Sequence, residues 1–564
     1  MKKKKNEIQK IIKLINSYNI PFIIALGIFL FGIKDPFVKY FKTYFILASI
    51  RKNAEVFVTV MLMLLYIIAI IYILLSAHYH IKTGRSYSSD SAKFKKTYSS
   101  LLHFWTTNDP YKMDIQKLPI EDWHNAEGVI LGKCKDRLGN MHLVKRDSNA
   151  CGNLASFGLP GSGKTTAQAS TTAITFNRNI NGGCGVFAIS IKGDLLNFVK
   201  DKRPNLKVFT PDKVEGSCHY DPLFGVKDMT WTERRVFAEN LSIIICPDDH
   251  SENSSFFVGG ARNYLTAIIL YLLHLHDTQQ LSGDLKFPEI TYFILDNSAI
   301  NVTLNIRDCG NPIPGEYTNG YIGSNEKNVN GIWSHLCTCI RPFNTGALRT
   351  LLDGEGDCIT PEYLNSGDVY IDVPQDKYDV YAPCMAIIVS NFLQSFMRRD
   401  DVSSGNNIPP IIFLLDEVVQ LNLDFTLLST AMATLRSKNV SLFLLMQSIA
   451  QLEGKYGEAN ARQLIDLCAY ISVFNAQDPK SREYFQKLVG KRKLLVRSDS
   501  HSTSGGNKNN SSSFSVNESE EFIFEAADFG NLCIQDSKTK ENIPRVLVYA
   551  NGKYTLCETT PCYK

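Results

Sequence analysis

Gly158-Leu159-Pro160-Gly161-Ser162-Gly163-Lys164-Thr165 fits the pattern G-x-x-x-x-G-K-[ST] at every position. Glycines in such a loop let backbone N–H groups turn inward toward phosphate oxygens. A helix opening at Lys164 aims its positive end at the same place. Lys164 is expected to reach the β- and γ-phosphates, and Thr165 to offer its hydroxyl to Mg²⁺. The flanks agree with that reading. Leu154-Ala155-Ser156-Phe157 reads as a strand, and Thr166-Ala167-Gln168-Ala169 as the start of a helix. A chance glycine-rich match would lack them. The expected nucleotide-binding stretch is therefore 158–166, within an α/β domain, and the expected cofactors are ATP and Mg²⁺.

Farther along, Pro410-Ile411-Ile412-Phe413-Leu414-Leu415-Asp416-Glu417 is an apolar run ending in two carboxylates. A strand buried on both faces reads this way. Asp416 at its tip is placed to hold Mg²⁺ through water. Glu417 is placed to polarise an attacking water, which separates a hydrolase from a nucleotide binder. Ser441-Leu442-Phe443-Leu444-Leu445-Met446-Gln447-Ser448 reads as another buried strand with a polar tip. Gln447 there is a candidate sensor of the γ-phosphate. Arg436, just before that strand, is a candidate to reach a neighbouring subunit's nucleotide. An ordinary surface arginine and a strand-end glutamine are the competing readings. Ile189-Ser190-Ile191-Lys192-Gly193-Asp194 ends another apolar strand, so Lys192 and Asp194 fall at the edge where open α/β sheets place ligands.

Strand-like text at 128–146 suggests a small hairpin. From 228 to 344 the pattern turns helical, with helices expected at about 232–245 and 256–274. Strands return at 368–373, 411–415 and 545–550. Strands, then helices, then strands again indicate an α/β domain carrying an all-α insertion. Residues 498–517 are dense in Ser, Asn and Gly and are expected to form a flexible loop.

Two spans near the N-terminus are apolar enough to cross a bilayer: about 15–33, and 56–77, which has no formal charge. The first runs on as Lys34-Asp35-Pro36, with no small-residue cleavage site after it. Residues 1–100 carry 16 Lys/Arg against 4 Asp/Glu, whereas the remaining 464 carry 44 against 52. The basic excess thus surrounds the spans, where anionic lipid attracts it. The rest, at −8, has no global basic signature of a DNA binder, so any nucleic-acid contact must come from a local patch or a charge ring in an oligomer. The 14 cysteines are scattered without a C-x-x-C pair, as expected of reduced thiols in a cytosolic body.

Taken in order, these motifs resemble the VirD4/TraG/TraD-type coupling proteins of conjugation and type IV secretion. Two spans precede the body. The phosphate loop is followed by Lys192-Gly193-Asp194 (Lys-Gly-Glu in the family) and Asp221-Pro222-Leu223 (Asn-Pro-Leu in the family). Phe256-Phe257 with Ala261-Arg262 opens the helical part. Asp416-Glu417, Arg436 and Gln447-Ser448 match the family's acidic pair, arginine finger and polar strand tip, and Gln451-Leu452-Glu453 with Tyr456-Gly457 matches its Gln-Leu and Tyr-Gly run. Asp194 and Asp221 depart from the family pattern, and the usual Arg-Pro-Leu-Leu near the C-terminus is not recognisable.

The resemblance implies a RecA-like P-loop NTPase domain at 150–227 and 345–564, with an all-α inserted domain at 228–344. A membrane anchor (1–78) and a tether with a small β element (79–149) would precede it. It further implies a homo-hexameric ATPase at the cytoplasmic (inner) membrane, multi-pass, with its ATPase domain in the cytosol. Single-stranded DNA with its relaxase and components of the type IV secretion channel would be its partners. A coupling ATPase for protein effectors, and a non-motor membrane scaffold with a vestigial nucleotide site, are the alternatives.

Overall fold

The chain is described by a computed structural model over residues 111–559 and Cys562, apart from 124, 137, 192, 248–254, 282, 403–407, 503–510, 533 and 536–541. The two expected spans and the tether up to residue 110 lie outside the described residues. The main body comprises 108–493 and 520–564.

Eleven strands of the main body form one sheet: β1 (Val129–Lys135), β2 (Met141–Arg146), β3 (Asn153–Phe157), β4 (Val186–Ile191), β5 (Leu206–Phe209), β6 (Asp368–Val373), β7 (Ile411–Leu415), β8 (Val440–Met446), β9 (Cys468–Val473), β14 (Arg545–Ala550) and β15 (Lys553–Glu558). Their order is β2-β1-β15-β14-β9-β3-β8-β7-β4-β6-β5. From β9 to β5 every neighbouring pair is parallel. From β9 to β2 every pair is antiparallel. The hairpin expected at 128–146 is therefore not a separate element: β1 and β2 extend the main sheet, because β1 pairs with β15.

Burial explains the text of the central strands. Every residue of β7 and β8 is buried, so neither alternates polar with apolar. The parallel strands need crossovers, and the longest joins β5 to its neighbour β6. It holds the expected helices as α1 (Trp231–Ile245) and α2 (Ser255–Asp277), followed by α3 (Phe287–Asp296), α4 (Ala299–Asp308), α5 (Pro312–Thr318), α6 (Glu326–Ile340) and α7 (Gly346–Leu351). Thr230 and Glu233 start α1 with a reciprocal capping box. α2 is the apolar axis of this block. Its Tyr264 stacks on Tyr321 at 5.1 Å and meets Trp333 edge-on at 5.5 Å. Gly260 lets α2 approach α6 closely, since a Cβ there would stand 2.6 Å from Ile332.

After β6 comes α8 (Tyr378–Met397), which packs beside the sheet. Among the described residues, α2 and α8 are long and apolar enough to cross a membrane, but most of each is buried within the fold. They are core helices on that evidence, and distinct from the two expected spans.

Of the stretch expected as a flexible loop over 498–517, residues 503–510 lie outside the described residues, and strands flank them. Strands β10 (Lys491–Ser502) and β11 (Ser511–Phe522) pair as a two-stranded sheet of their own there. Hydrogen bonding between backbones is indifferent to a Ser- and Asn-rich text. β12 (Ile534–Gln535) and β13 (Asn542–Ile543) form a third, very short pair.

Candidate nucleotide-binding site

Parallel strands bring their carboxyl ends to one edge, and here β8 lies between β3 and β7. The phosphate loop after β3, Gln447 after β8 and Asp416-Glu417 after β7 therefore stand side by side.

The loop is shaped by its glycines. Gly161 and Gly163 adopt φ of +77° and +102°, which favour glycine. Gly158 has no room for a side chain, because a Cβ would stand 2.6 Å from Ser162 Oγ and 3.0 Å from Phe474 Cβ. The Gly158 N–H donates to Met446 O at 3.1 Å, tying the loop to β8. Leu159 N–H donates to Asn475 Oδ1 at 2.9 Å, tying it to the end of β9. Pro160 and Gly161 are exposed, and the Ser162 hydroxyl is buried with no partner among the described residues. Lys164 opens a helix whose first turns, Lys164–Ala169, are π-wound before Ser170–Thr175 continues as α-helix. Such widened turns recur at functional sites. Thr166, within it, accepts a backbone bond from Cys562 N–H at 3.0 Å.

Lys164 is buried, and its ammonium donates to the carbonyl of Gly158 and, at 3.5 Å, to that of Leu159. Burial draws its pKa down, while Glu417 and Asp416 oppose the shift. Thr165 Oγ1 donates to Asp416 Oδ2 at 3.2 Å. Asp416 Oδ1 accepts from the Glu417 N–H at 3.1 Å. Burial, then the Glu417 charge, push the Asp416 carboxyl up to about 6, against Lys164 and Thr165. Glu417 sits in the left-handed region at φ +49°. Its Oε1 accepts from Gln447 Nε2 at 2.9 Å, and Gln447 Oε1 accepts from Gln451 Nε2 at 3.2 Å. This set suits a metal-bound nucleotide: glycine-lined N–H groups, a buried ammonium, and a hydroxyl already touching a carboxylate.

The structure brings Gly158–Thr166, Asp416, Glu417 and Gln447 together. Arg436 it does not. That residue is exposed in the turn Leu435–Lys438, ahead of β8, at the opposite edge of the sheet. Lys192 lies outside the described residues. Asp194 begins the helix Asp194–Val199 after Gly193, at the carboxyl edge of β4.

Three further groups belong to this edge. Asn475, just beyond β9, carries the polar-tip pattern that flagged Gln447, whereas Gln451, quoted above only for its Gln-Leu run, stands in the helix Ile449–Tyr456 after β8. Asp372 was less legible, lying inside the apolar text of β6. It pairs in register with Ser190 of β4, and its buried Oδ1 has no hydrogen-bond partner among the described residues.

A family model described as the TraM recognition site of TraD and TraG matches residues 410–532. The chain is 23% identical over 277 residues to the type IV secretion system-coupling protein VirD4 of Bartonella henselae, covering 48% of this chain and 42% of that one. It is 27% identical over 138 residues to the probable conjugal transfer protein TraG of Sinorhizobium fredii, covering 24% and 21%. These matches span less than half the length of either relative. Among solved structures, the bacterial conjugative coupling protein TrwBdeltaN70 in its unbound monoclinic form superposes with a TM-score of 0.53 at 14% identity, covering 72% of this chain and 84% of that one. TrwB in complex with ADP and Mg²⁺ gives 0.52 at 13% identity, covering 72% and 85%. At such identities the structural likeness is one of fold. The mixed sheet with its helical block fits a RecA-like NTPase, and the resemblance to VirD4/TraG/TraD-type coupling proteins is borne out.

Proposed function

We propose that this chain is a membrane-anchored coupling ATPase of a conjugative or type IV secretion system, one that recruits a relaxase–DNA substrate and drives its transfer by ATP hydrolysis. The observation that carries the reading is the convergence at one sheet edge of Thr165 on Asp416 and Gln447 on Glu417. The backbone of 158–166 cradles the phosphates. Lys164 exchanges its loop carbonyls for the β- and γ-phosphates. Thr165 and Asp416 hold Mg²⁺, which when bound supplies positive charge to the phosphate oxygens. Glu417 polarises the attacking water, and Gln447 holds Glu417 in place. Arg436, remote from its own loop, serves the neighbouring subunit of a homo-hexameric ring. Residues 150–227 and 345–564 form the motor, 228–344 the substrate-reading domain, and 1–78 the anchor.

The test uses the full chain in lipid nanodiscs, measuring ATP turnover with and without single-stranded DNA. Mg²⁺-dependent turnover raised by DNA and lost in Lys164→Ala is expected. No turnover in an assembled wild-type preparation overturns the motor. The acidic balance of residues 101–564 favours a second reading, protein cargo with little DNA traffic. Turnover indifferent to DNA selects it.

A further inference from the structure

Cys134 of β1 and Cys557 of β15 lie side by side. Lys133 pairs with Glu558 in antiparallel register, which sets the next positions, 134 and 557, opposite one another. Both thiols are free, and their sulfurs stand 3.1 Å apart. Gly132 makes the room, since a Cβ there would collide with that of Cys557. Opposed residues of antiparallel strands have Cα atoms about 4.5–5.5 Å apart, inside the range of about 4.4–6.8 Å that a disulfide spans. A bond between the sulfurs can thus close by side-chain rotation, with the strands left in place. The two thiols differ in reactivity. Cys134 is one residue from the exposed Lys135, whereas Cys557 is fully buried. On its other side Cys134 pairs in register with His142 of β2. Both ring nitrogens of His142 face acceptors: Nδ1 the Leu118 carbonyl at 3.1 Å, Nε2 the Asp136 carboxylate at 3.1 Å. Only the doubly protonated ring donates to both. An imidazolium beside a thiol favours the thiolate, which is the nucleophile. The Thr555 hydroxyl, 3.6 Å from the Cys134 sulfur, is a further donor to it. The Cys557 thiol, aided by Thr555, draws Cys134 down to about 7 against burial, and burial pushes Cys557 up.

We propose that Cys134 and Cys557 form a reversible modification site, a dithiol that hydrogen peroxide oxidises to a disulfide fastening β1 to β15. The Cys134 thiolate attacks one peroxide oxygen. The O–O bond breaks, hydroxide leaves and takes a proton as water, and Cys134 becomes a sulfenic acid. The Cys557 sulfur then attacks the Cys134 sulfur. The S–O bond breaks, the S–S bond forms, and the departing hydroxide takes the Cys557 proton as a second water. Two thiols are oxidised and one peroxide is reduced to two waters. A dithiol reductant reverses the bond by exchange. Cytosolic disulfides are usually of this transient, sensing kind. The bond would act close to the phosphate loop, because Gln168 Nε2, in the helix after that loop, donates to the Leu131 carbonyl of β1 at 2.8 Å. The proposal stands on the thiol pair alone and holds whatever the chain transports.

The test treats the reduced full chain, in nanodiscs, with hydrogen peroxide, blocks the remaining thiols in denaturant, and maps the digest by mass spectrometry. The wild-type chain should yield one peptide pair joined through Cys134 and Cys557, short of two hydrogens and released by dithiothreitol. Its Tm should rise on oxidation, since the bond closes a long loop of the unfolded chain. In Cys557→Ala the reaction should stop at the sulfenic acid, so dimedone labels Cys134 there and leaves it unlabelled in the wild-type chain. In Cys134→Ala, Cys557 should stay a thiol. The wild-type arm needs no variant to fold. Absence of the joined pair at peroxide levels that already oxidise other cysteines, such as Cys246 and Cys339, overturns the proposal. Dimedone on Cys557 in Cys134→Ala overturns Cys134 as the thiol that meets the oxidant. A joined pair with no rise in Tm overturns the fastening of β1 to β15.

Discussion

Glu417 carries a backbone cost to the fold at the position where the proposed reaction would use its carboxylate. A non-glycine residue at φ +49° is strained by about 1–3 kcal/mol. Glu417→Gly removes the strain, so that variant should unfold at higher denaturant, by about 1 kcal/mol, while losing ATP turnover. Glu417→Gln keeps the strain and the bond from Gln447, so it should retain ATP without hydrolysing it. Denaturant titration and nucleotide-binding assays of both variants check the pair, and a turnover-competent glutamine variant would assign the water to another group. Asp416 has a related conflict, readable through pH. Its folded-state carboxyl is raised to about 6 by burial and by Glu417. The native chain therefore keeps the proton over a range where the unfolded chain has released it. By linkage, this group's contribution to stability falls as pH rises from about 4 to about 6. Above that range the buried charge costs roughly 3 kcal/mol until a cation meets it. Asp416→Asn should accordingly raise the stability of the nucleotide-free protein at pH 7.5, raise it far less near pH 4, and abolish Mg²⁺-dependent nucleotide binding. Urea titrations at the two pH values decide this; equal gains at both would place the effect in packing.

At the scale of elements, the order of strands carries the site. β8 lies between β3 and β7, so Gln447 must stand between the loop and the acidic pair. That order was not legible. Apolar runs such as Ile411–Leu415 and Val440–Met446 announce buried parallel strands, and their polar tips announce a ligand edge. Nothing in such runs says which neighbour each will pair with, because a strand buried on both faces has no distinguishing side. The same limit hid the pairing of β1 with β15 across more than four hundred residues. The pairing of β10 with β11 was missed because composition reports side chains, whereas strand pairing is a property of the backbone. Element geometry also sharpens the reading of Arg436. It precedes β8, whereas Gln447 follows it, and seven residues at ~3.3 Å each separate the two by roughly 20 Å. An arginine cannot span that distance, so Arg436 cannot serve its own loop. If it serves a neighbour's, mixing inactive Arg436→Ala and Lys164→Ala chains should restore part of the ATP turnover, since some mixed rings contain an intact composite site. The effect of a finger in trans is large, about 10³-fold or more, so partial recovery is measurable. No recovery in mixtures shown to co-assemble makes Arg436 a surface residue.

At the scale of the whole molecule, charge bounds how DNA can be held. Residues 101–564 carry 44 basic against 52 acidic groups, whereas residues 1–100 carry 16 against 4. That balance gives no support for a broad basic face on the body. If the chain moves DNA, its phosphates would meet either the inside of the proposed ring, where each subunit adds a few charges, or the basic stretch beside the expected membrane spans, which includes Arg85, Lys93, Lys95 and Lys96. The two differ in their salt dependence. Each phosphate neutralised releases counterions, and for single strands the slope of log affinity against log salt is about −0.7 per contact. A ring that tracks a strand should bind without sequence preference, more tightly as an oligomer than as a monomer, and with a steep slope. We expect the full chain in nanodiscs, titrated with single-stranded DNA from about 50 to 200 mM salt, to show such a slope. We also expect it to lose only part of that slope when the four tether residues are changed to Gln. Complete loss in that variant would move the DNA contact to the membrane surface. A shallow slope in the assembled wild-type protein would instead remove DNA as the principal cargo, and the acidic body would then be read as a surface for basic protein substrates.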